Sequence, residues 1–217
     1  MNYKMMFSMR KIVITAITAF VLSVCCAMAH DASDLGIKNL KEGDLLFCVA
    51  EKSNNITDVT SGLGGKRIDH VAIFHTAKGE AFALEAIHRG VCLTPIDSFM
   101  ARRQNVVCAR LRDTTGVAQS VERAMEYIGT PYDFYFMPSD SAMYCSELVQ
   151  KCYKTVAGEL VFKPIPMSFH DKTGTITAYW RDYYARRGLR VPEGEPGSNP
   201  GDLSRSDKIV ILGELRH

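Results

Sequence analysis

The chain has 217 residues, 47% of them hydrophobic and 23% charged, an ordinary globular mix that argues against a disordered tail or a multipass membrane protein. Its 26 basic side chains against 24 acidic ones give +2, but Lys4, Arg10 and Lys11 all precede an uncharged run from Ile12 to Ala29. Without residues 1–29 the balance is 23 to 24, a net of −1, which removes the electrostatic support for nucleic-acid binding.

In chain order, the first segment combines a basic start, the apolar stretch IVITAITAFVLSV and Ala27-Met28-Ala29. These are the three parts of a secretory signal peptide, so residues 1–29 read as a leader. Residues 30–217 then read as one exported domain, periplasmic or extracellular after cleavage. An uncleaved anchor is the rival, but the uncharged run is 18 residues where a spanning helix needs about 20. Val24 ahead of Cys25 speaks against a lipoprotein. Five cysteines follow the leader: Cys48, Cys92, Cys108, Cys145 and Cys152. In an exported chain an odd count leaves at least one thiol over.

Five short apolar runs come next: GDLLFCVA (43–50), DHVAIFH (69–75), AFALEAI (81–87), GVCLT (90–94) and NVVCARL (105–111). Each has β-formers or flanking Gly, Asp or Asn, and each is predicted as a strand. Segment 51–68, with SNN and GLGGK, is predicted as a long, mobile loop that could act as a lid. The period then changes. Val117, Ala118, Val121, Ala124, Met125 and Ile128 recur at three and four, predicting a helix capped by Thr114 or Thr115 and ended by Gly129 and Pro131. A second helix carries Cys145, Leu148, Val149, Cys152, Tyr153 and Val156 on one stripe, with Ser139, Asp140 and Ser141 ahead of it as candidate caps. Segment 177–188 fits a helix or an aromatic strand, 191–202 reads as irregular, and KIVILGEL (208–215) closes as a strand. Strands first, helices next and a returning strand predict an α+β fold with an antiparallel sheet packed against helices.

Cys145 opens the second helix, where free amide groups and the helix dipole favour a thiolate. Position alone fits a nucleophile and a packed structural cysteine equally well. A nucleophilic thiol needs a base, and His70 opens a strand at the sheet's end. If Lys78-Gly79 is a two-residue turn, His70 faces Ile87 and Glu85 lies on its diagonal; a turn one residue earlier pairs His70 with Glu85 directly. Both registers keep the two on one face. Glu85 interrupts an apolar run, and a carboxylate there needs a partner, for which His70 is the economical choice. An outward-facing position is the alternative. His75, His88 and His170 lack zinc-type spacing, and GLGGK lacks the frame of a phosphate loop. No cofactor and no metal are expected.

At this point a family pattern is visible. The stretch IGTPYDFYFMPSDSAMYCSELVQKCY (128–153) resembles the nucleophile segment of NlpC-type cysteine peptidases. EGDLLFC, DHVAIFH and ALEAIHRGV resemble that superfamily's sheet motifs, but here they precede the cysteine. The rotated order is similar to the circularly permuted, papain-like, YiiX-like branch, to which the tail 191–206 is also similar. The resemblance implies a permuted papain-like fold with Cys145 as nucleophile, His70 as general base and Glu85 as the residue orienting the histidine. It further implies that Tyr132 of GTPYD lines the site and binds substrate or oxyanion. Tyr144 stands where the family commonly has Asp, so a role carried by that Asp does not transfer to this position.

The implied activity is a cysteine amidase or peptidase acting by acyl transfer on a small peptide, such as a cell-wall stem peptide. A lipid thioesterase or acyltransferase of the same superfamily is the nearest rival, told apart by a greasy channel rather than charged substrate-binding groups. A non-catalytic envelope-binding module is the rival from another class. A membrane surface is not indicated as a partner, and the sequence leaves the oligomeric state open.

Overall fold

A computed structural model describes residues 35–103 and 105–215 of the chain; the leader read at 1–29 and the start of the exported domain lie outside them. The five apolar runs form β1 (Leu45–Val49), β2 (Ile68–Ala77), β3 (Glu80–Ile87), β4 (Gly90–Pro95) and, after helix α1 (Ile96–Arg102), β5 (Val106–Leu111). Helices α2 (Val117–Glu126) and α3 (Cys145–Cys152) follow. Then come β6 (Ile165–Pro166), α4 (Ala178–Ala185), β7 (Pro196–Gly197), α5 (Pro200–Ser204) and β8 (Ile209–Leu215).

Six strands form one sheet in the order β4-β3-β2-β1-β5-β8, antiparallel at every step. This is the expected α+β architecture. Strand alternation divides the core in two. Ala72, Phe74 and Ala83 pack under Ile96, Phe99 and Met100 of α1. Val71, Ile73 and Leu84 pack under Val121 of α2 and Leu148 and Val149 of α3. Leu148 and Val149 are fully buried, each stabilising the fold by about 1.5–3 kcal/mol on removal from water.

Two features set the geometry of the functional end. Lys78 and Gly79 both take positive φ, 52° and 81°, as a type I′ hairpin turn requires. The ladder therefore runs from Ala77↔Glu80 to Ile73↔Leu84, the register that places Glu85 on the diagonal of His70. At the other end of β2, Cys48 pairs with His70 and Val49 with Ile68, so Asp69 is an extra residue in a bulge. Ile68 and Val71 consequently share one core cluster, which an unbroken two-residue alternation forbids.

Several expectations are corrected. The second helix ends at Cys152, because Tyr153 is extended and its hydroxyl donates to Gly43 O at 2.7 Å; Val156 is 78% exposed. Neither Thr114 nor Thr115 caps α2, whose N-cap is Gly116 at φ 83°. Ser139, Asp140 and Ser141 do not cap α3; Tyr144 holds the N-cap position, with the Glu147 carboxylate accepting from its N–H at 3.4 Å. Segment 177–188 is helical, with Thr177 as cap. Segment 191–202 is not wholly irregular, since Asn199 Oδ1 accepts from Asp202 N at 2.8 Å and Pro200 starts α5. Loop 51–67 holds only a single 3₁₀ turn, Leu63–Gly65, but it is tied down. Asn54 Nδ2 donates to Asp69 at 2.8 Å, Trp180 Nε1 to Asn55 O at 3.1 Å, and Leu63 N to Ser204 Oγ at 3.0 Å. A free lid is not what these bonds describe.

The sheet edge also positions the loop ahead of α3. Val91 N donates to Thr130 O and Gly129 N to Val91 O, both at 2.9 Å. Gly90 has φ 98°, and a Cβ there would lie 2.4 Å from Thr130 O. Gly90→Ala is therefore expected to lower the unfolding free energy by about 1–3 kcal/mol, measured by urea denaturation. An unchanged midpoint would show that the 129–132 loop does not depend on this contact.

Candidate active site

Cys145 is the first residue of α3, 6% exposed, at a helix start whose N–H groups lack intrahelical acceptors. α3 lies across β2 and β3, which brings its first turn to the strand that carries His70. His70 is 5% exposed and Glu85 is fully buried. Their side chains meet at 2.7 Å through His70 Nε2 and Glu85 Oε2. Glu85 also accepts from Thr94 Oγ1 of β4 at 2.6 Å and from the Arg102 guanidinium at the end of α1.

These contacts fix the charges. Burial disfavours the charged form of Glu85, but the His70 hydrogen bond and charge, then Thr94 and Arg102, outweigh it and hold the carboxyl at about 2. Burial also opposes an imidazolium at His70. The charge of Cys145 and a hydrogen bond with it, followed by those of Glu85, nevertheless raise His70 to about 9. Since Nε2 is taken by Glu85, Nδ1 is the ring nitrogen left for the thiol. The three residues singled out in the sequence thus come together.

Tyr132 lies beside them, half-buried, in a bridge with Met143 just ahead of α3. Burial first, then the charges of Cys145 and Asp133, push its phenol well up, so it keeps its proton. Cys145 and Tyr132 open on a cleft of about 560 Å³ whose walls include Ile56, Met167, Phe169 and Trp180.

A family model described as permuted papain-like amidase, YaeF/YiiX, C92 family, matches residues 39–209. The chain belongs to that family. Among curated relatives it is 31% identical over 121 residues to the uncharacterized protein YiiX of Escherichia coli K12, covering 54% of this chain and 58% of that protein. It is 29% identical over 114 residues to protein OPG091 of vaccinia virus (strain Copenhagen), covering 52% of this chain and 67% of that one. The matched stretches thus span about six-tenths to two-thirds of those relatives. The crystal structure of yiiX from E. coli O157:H7 superposes with a TM-score of 0.65 and 21% identity, covering 79% of this chain and 95% of that one.

The E. coli O157:H7 protein is described as a metalloprotein. Among the described residues of the present family member, no group of three or more His, Cys, Asp or Glu could hold a metal ion, so the donor set does not fit one. The other histidines among the described residues lie apart. His75 Nδ1 meets Glu42 at 2.6 Å, His170 Nδ1 meets Glu193 at 3.1 Å, and His88 is exposed.

The odd count leaves at least one thiol over, and all five cysteines in the described residues are free, so counting does not single one out. Environment separates them instead. Burial pushes Cys108 and Cys152 up to about 12 and Cys48 well above its ordinary value, whereas Cys145 lines the cleft.

Sequence reading missed Thr94 and Arg102 as partners of Glu85. The signal for Thr94 was available, since it lies on the strand beside Glu85; α1, which brings Arg102, was not foreseen. Asp69 was also missed, although it stands next to His70. It lines the cleft, accepts from Asn54 and pairs with Arg103 Nη1 at 3.3 Å.

The pair predicts a pH window. Glu85 falls from an ordinary 4.5 to about 2, so its contribution to stability is present above 4.5 and lost as pH falls through 2. His70 rises from 6.5 to about 9, so its contribution is full below 6.5 and lost as pH rises through 9. Glu85→Gln is expected to destabilise the fold by about 3–5 kcal/mol within the 4.5–6.5 window. The gap should shrink on both sides in urea titrations across pH, and a pH-independent gap would contradict the assigned charges.

Proposed function

We propose that the protein is an exported cysteine amidase that hydrolyses an amide bond in a small peptide, through Cys145, His70 and Glu85. The observation that carries this reading is the Glu85–His70 bond at 2.7 Å, with Cys145, a thiol at a helix start on a cleft, acting on the same imidazole. Membership of the amidase family supports it. The leader pattern at 1–29 supports export, with a cell-wall peptide as the substrate suited to that location.

The steps follow from the charges. His70, held by Glu85 and protonated at neutral pH, stands as the imidazolium partner of the Cys145 thiolate, which attacks the amide carbon. The tetrahedral oxyanion accepts from the Cys145 backbone N–H and from the Tyr132 hydroxyl, each donor being worth about 3–4 kcal/mol. The imidazolium then protonates the amine as the C–N bond breaks, leaving a thioester and a free amine. Water, deprotonated by the now neutral His70, attacks the thioester; the acid departs, the thiolate leaves and its pair with the His70 imidazolium is restored.

A second reading, transfer or hydrolysis of a lipid acyl group, is favoured by the apolar cleft wall of Met167, Phe169 and Trp180. It uses the same acyl-enzyme. Incubation with cell-wall peptides and with short-chain phospholipid separates the two by product.

Iodoacetamide is expected to label Cys145 ahead of Cys48, Cys92, Cys108 and Cys152 below pH 7, and His70→Ala should slow that labelling. Cys145→Ala should cut turnover of a peptide substrate by roughly 10⁴-fold or more. Labelling of Cys145 no faster than an ordinary thiol, or turnover surviving its loss, would end the catalytic reading.

A further inference from the structure

A second recess, of about 700 Å³, opens beside the nucleophile cleft. Ile56, Asp69, Tyr132, Phe136 and Trp180 line both. Beyond them the recess adds the rings of Phe134, Tyr179 and Tyr183, so its wall is built mainly from aromatic faces. Phe134 and Tyr179 are 48% and 43% exposed, an unusual cost for large rings unless something covers them.

The charge in this wall has one sign. Among the described residues lining the two recesses, Asp69 is the one carboxylate, and neither is lined by a lysine or an arginine. Asp69 is held from outside the recess by Arg103 at 3.3 Å, and by Asn54, which lies on the rim, at 2.8 Å. Each of its oxygens can accept two hydrogen bonds, so each retains a lone pair. The aromatic faces are electron-rich, and one of them already holds a cation: the guanidinium carbon of Arg187, which does not line the recess, lies 3.8 Å from the Tyr183 ring centroid.

We propose that this recess is a subsite for an alkylammonium group of the substrate, the primary ammonium of a peptide seated on the aromatic rings and hydrogen-bonded to Asp69. A primary ammonium fits better than a quaternary one because it has protons to give to the open lone pairs of Asp69, whereas a quaternary headgroup has none. The subsite deepens the amidase reading and rests on it for the direction in which the acyl group reaches Cys145. Its test does not depend on turnover.

Trp180 is the single tryptophan of the chain and lines the recess, so its fluorescence reports occupancy. The full chain carrying Cys145→Ala would be titrated with n-butylammonium, with 1-butanol as the uncharged counterpart, and with phosphocholine. Saturable quenching by n-butylammonium, at least about tenfold tighter than by 1-butanol and weakened about tenfold by Asp69→Asn, is expected. Tyr179→Leu, at a position exposed enough to fold normally, should weaken it several-fold, and urea midpoints would verify that both variants are folded.

Equal binding of 1-butanol, or insensitivity to Asp69→Asn in a folded variant, overturns the proposal. Tighter binding of phosphocholine than of n-butylammonium overturns the peptide ammonium in favour of a choline headgroup. Ammonium binding without selective labelling of Cys145 by iodoacetamide would keep the subsite and remove the acyl-transfer reading. Selective labelling without ammonium binding would do the reverse.

Discussion

A carboxylate with no exposed surface must be surrounded by donors, and Glu85 is such a carboxylate. Its donors come from three directions: His70 on β2, Thr94 on β4 and Arg102 at the end of α1. The sheet order places β3 between the two strands that supply them, and α1 follows directly from β4, so the third donor arrives without a long excursion. A buried ion pair is a weak source of stability, because desolvation offsets most of its attraction. What it fixes is orientation. With Nε2 committed to Glu85, the imidazole has only Nδ1 left, and α3 begins with a thiol close enough to act on that ring.

Much of this was legible because it depends on short-range rules. The five early strands follow from short apolar runs with turn residues between them, and the hairpin register follows from Lys78-Gly79. Glu85 stood out as a charge within AFALEAI, for which His70 on the neighbouring strand is the economical partner. The first turn of α3 was placed on Cys145 by helical period. What escaped notice depends on contacts between distant segments. Helix α1 is only seven residues, too short for period alone to announce it, and with it went Arg102. The caps of α2 and α3 were misassigned because a free Ser or Thr nearby is not a cap unless the chain turns there. The end of α3 was overrun because its stripe continues in sequence after the backbone straightens to let Tyr153 reach Gly43.

Loop 51–67 illustrates the same limit from the other side. Its Gly and Asn content correctly signals irregular backbone, yet composition says nothing about its tethers. Those tethers are Asp69, Trp180 and Ser204, all outside the loop, and two of them lie on segments more than a hundred residues away. The loop is thereby joined to the aromatic cluster of Phe169, Trp180 and Tyr184, with Ile56 and Val59 packed against it. One wall of the cleft is thus assembled from the two halves of the chain.

The order of the segments also sets an order of assembly. His70 and Glu85 are 15 residues apart on one hairpin, a short-range contact that β4 and α1 complete with Thr94 and Arg102. Cys145 joins them only after β5, α2 and the 127–144 connection have been made. A chain emerging from its N-terminal side therefore contains His70 and Glu85 before Cys145. Cys145 is the last of the three in chain order, so a half-made chain carries the buried His70–Glu85 pair without the sulfur that stands beside it.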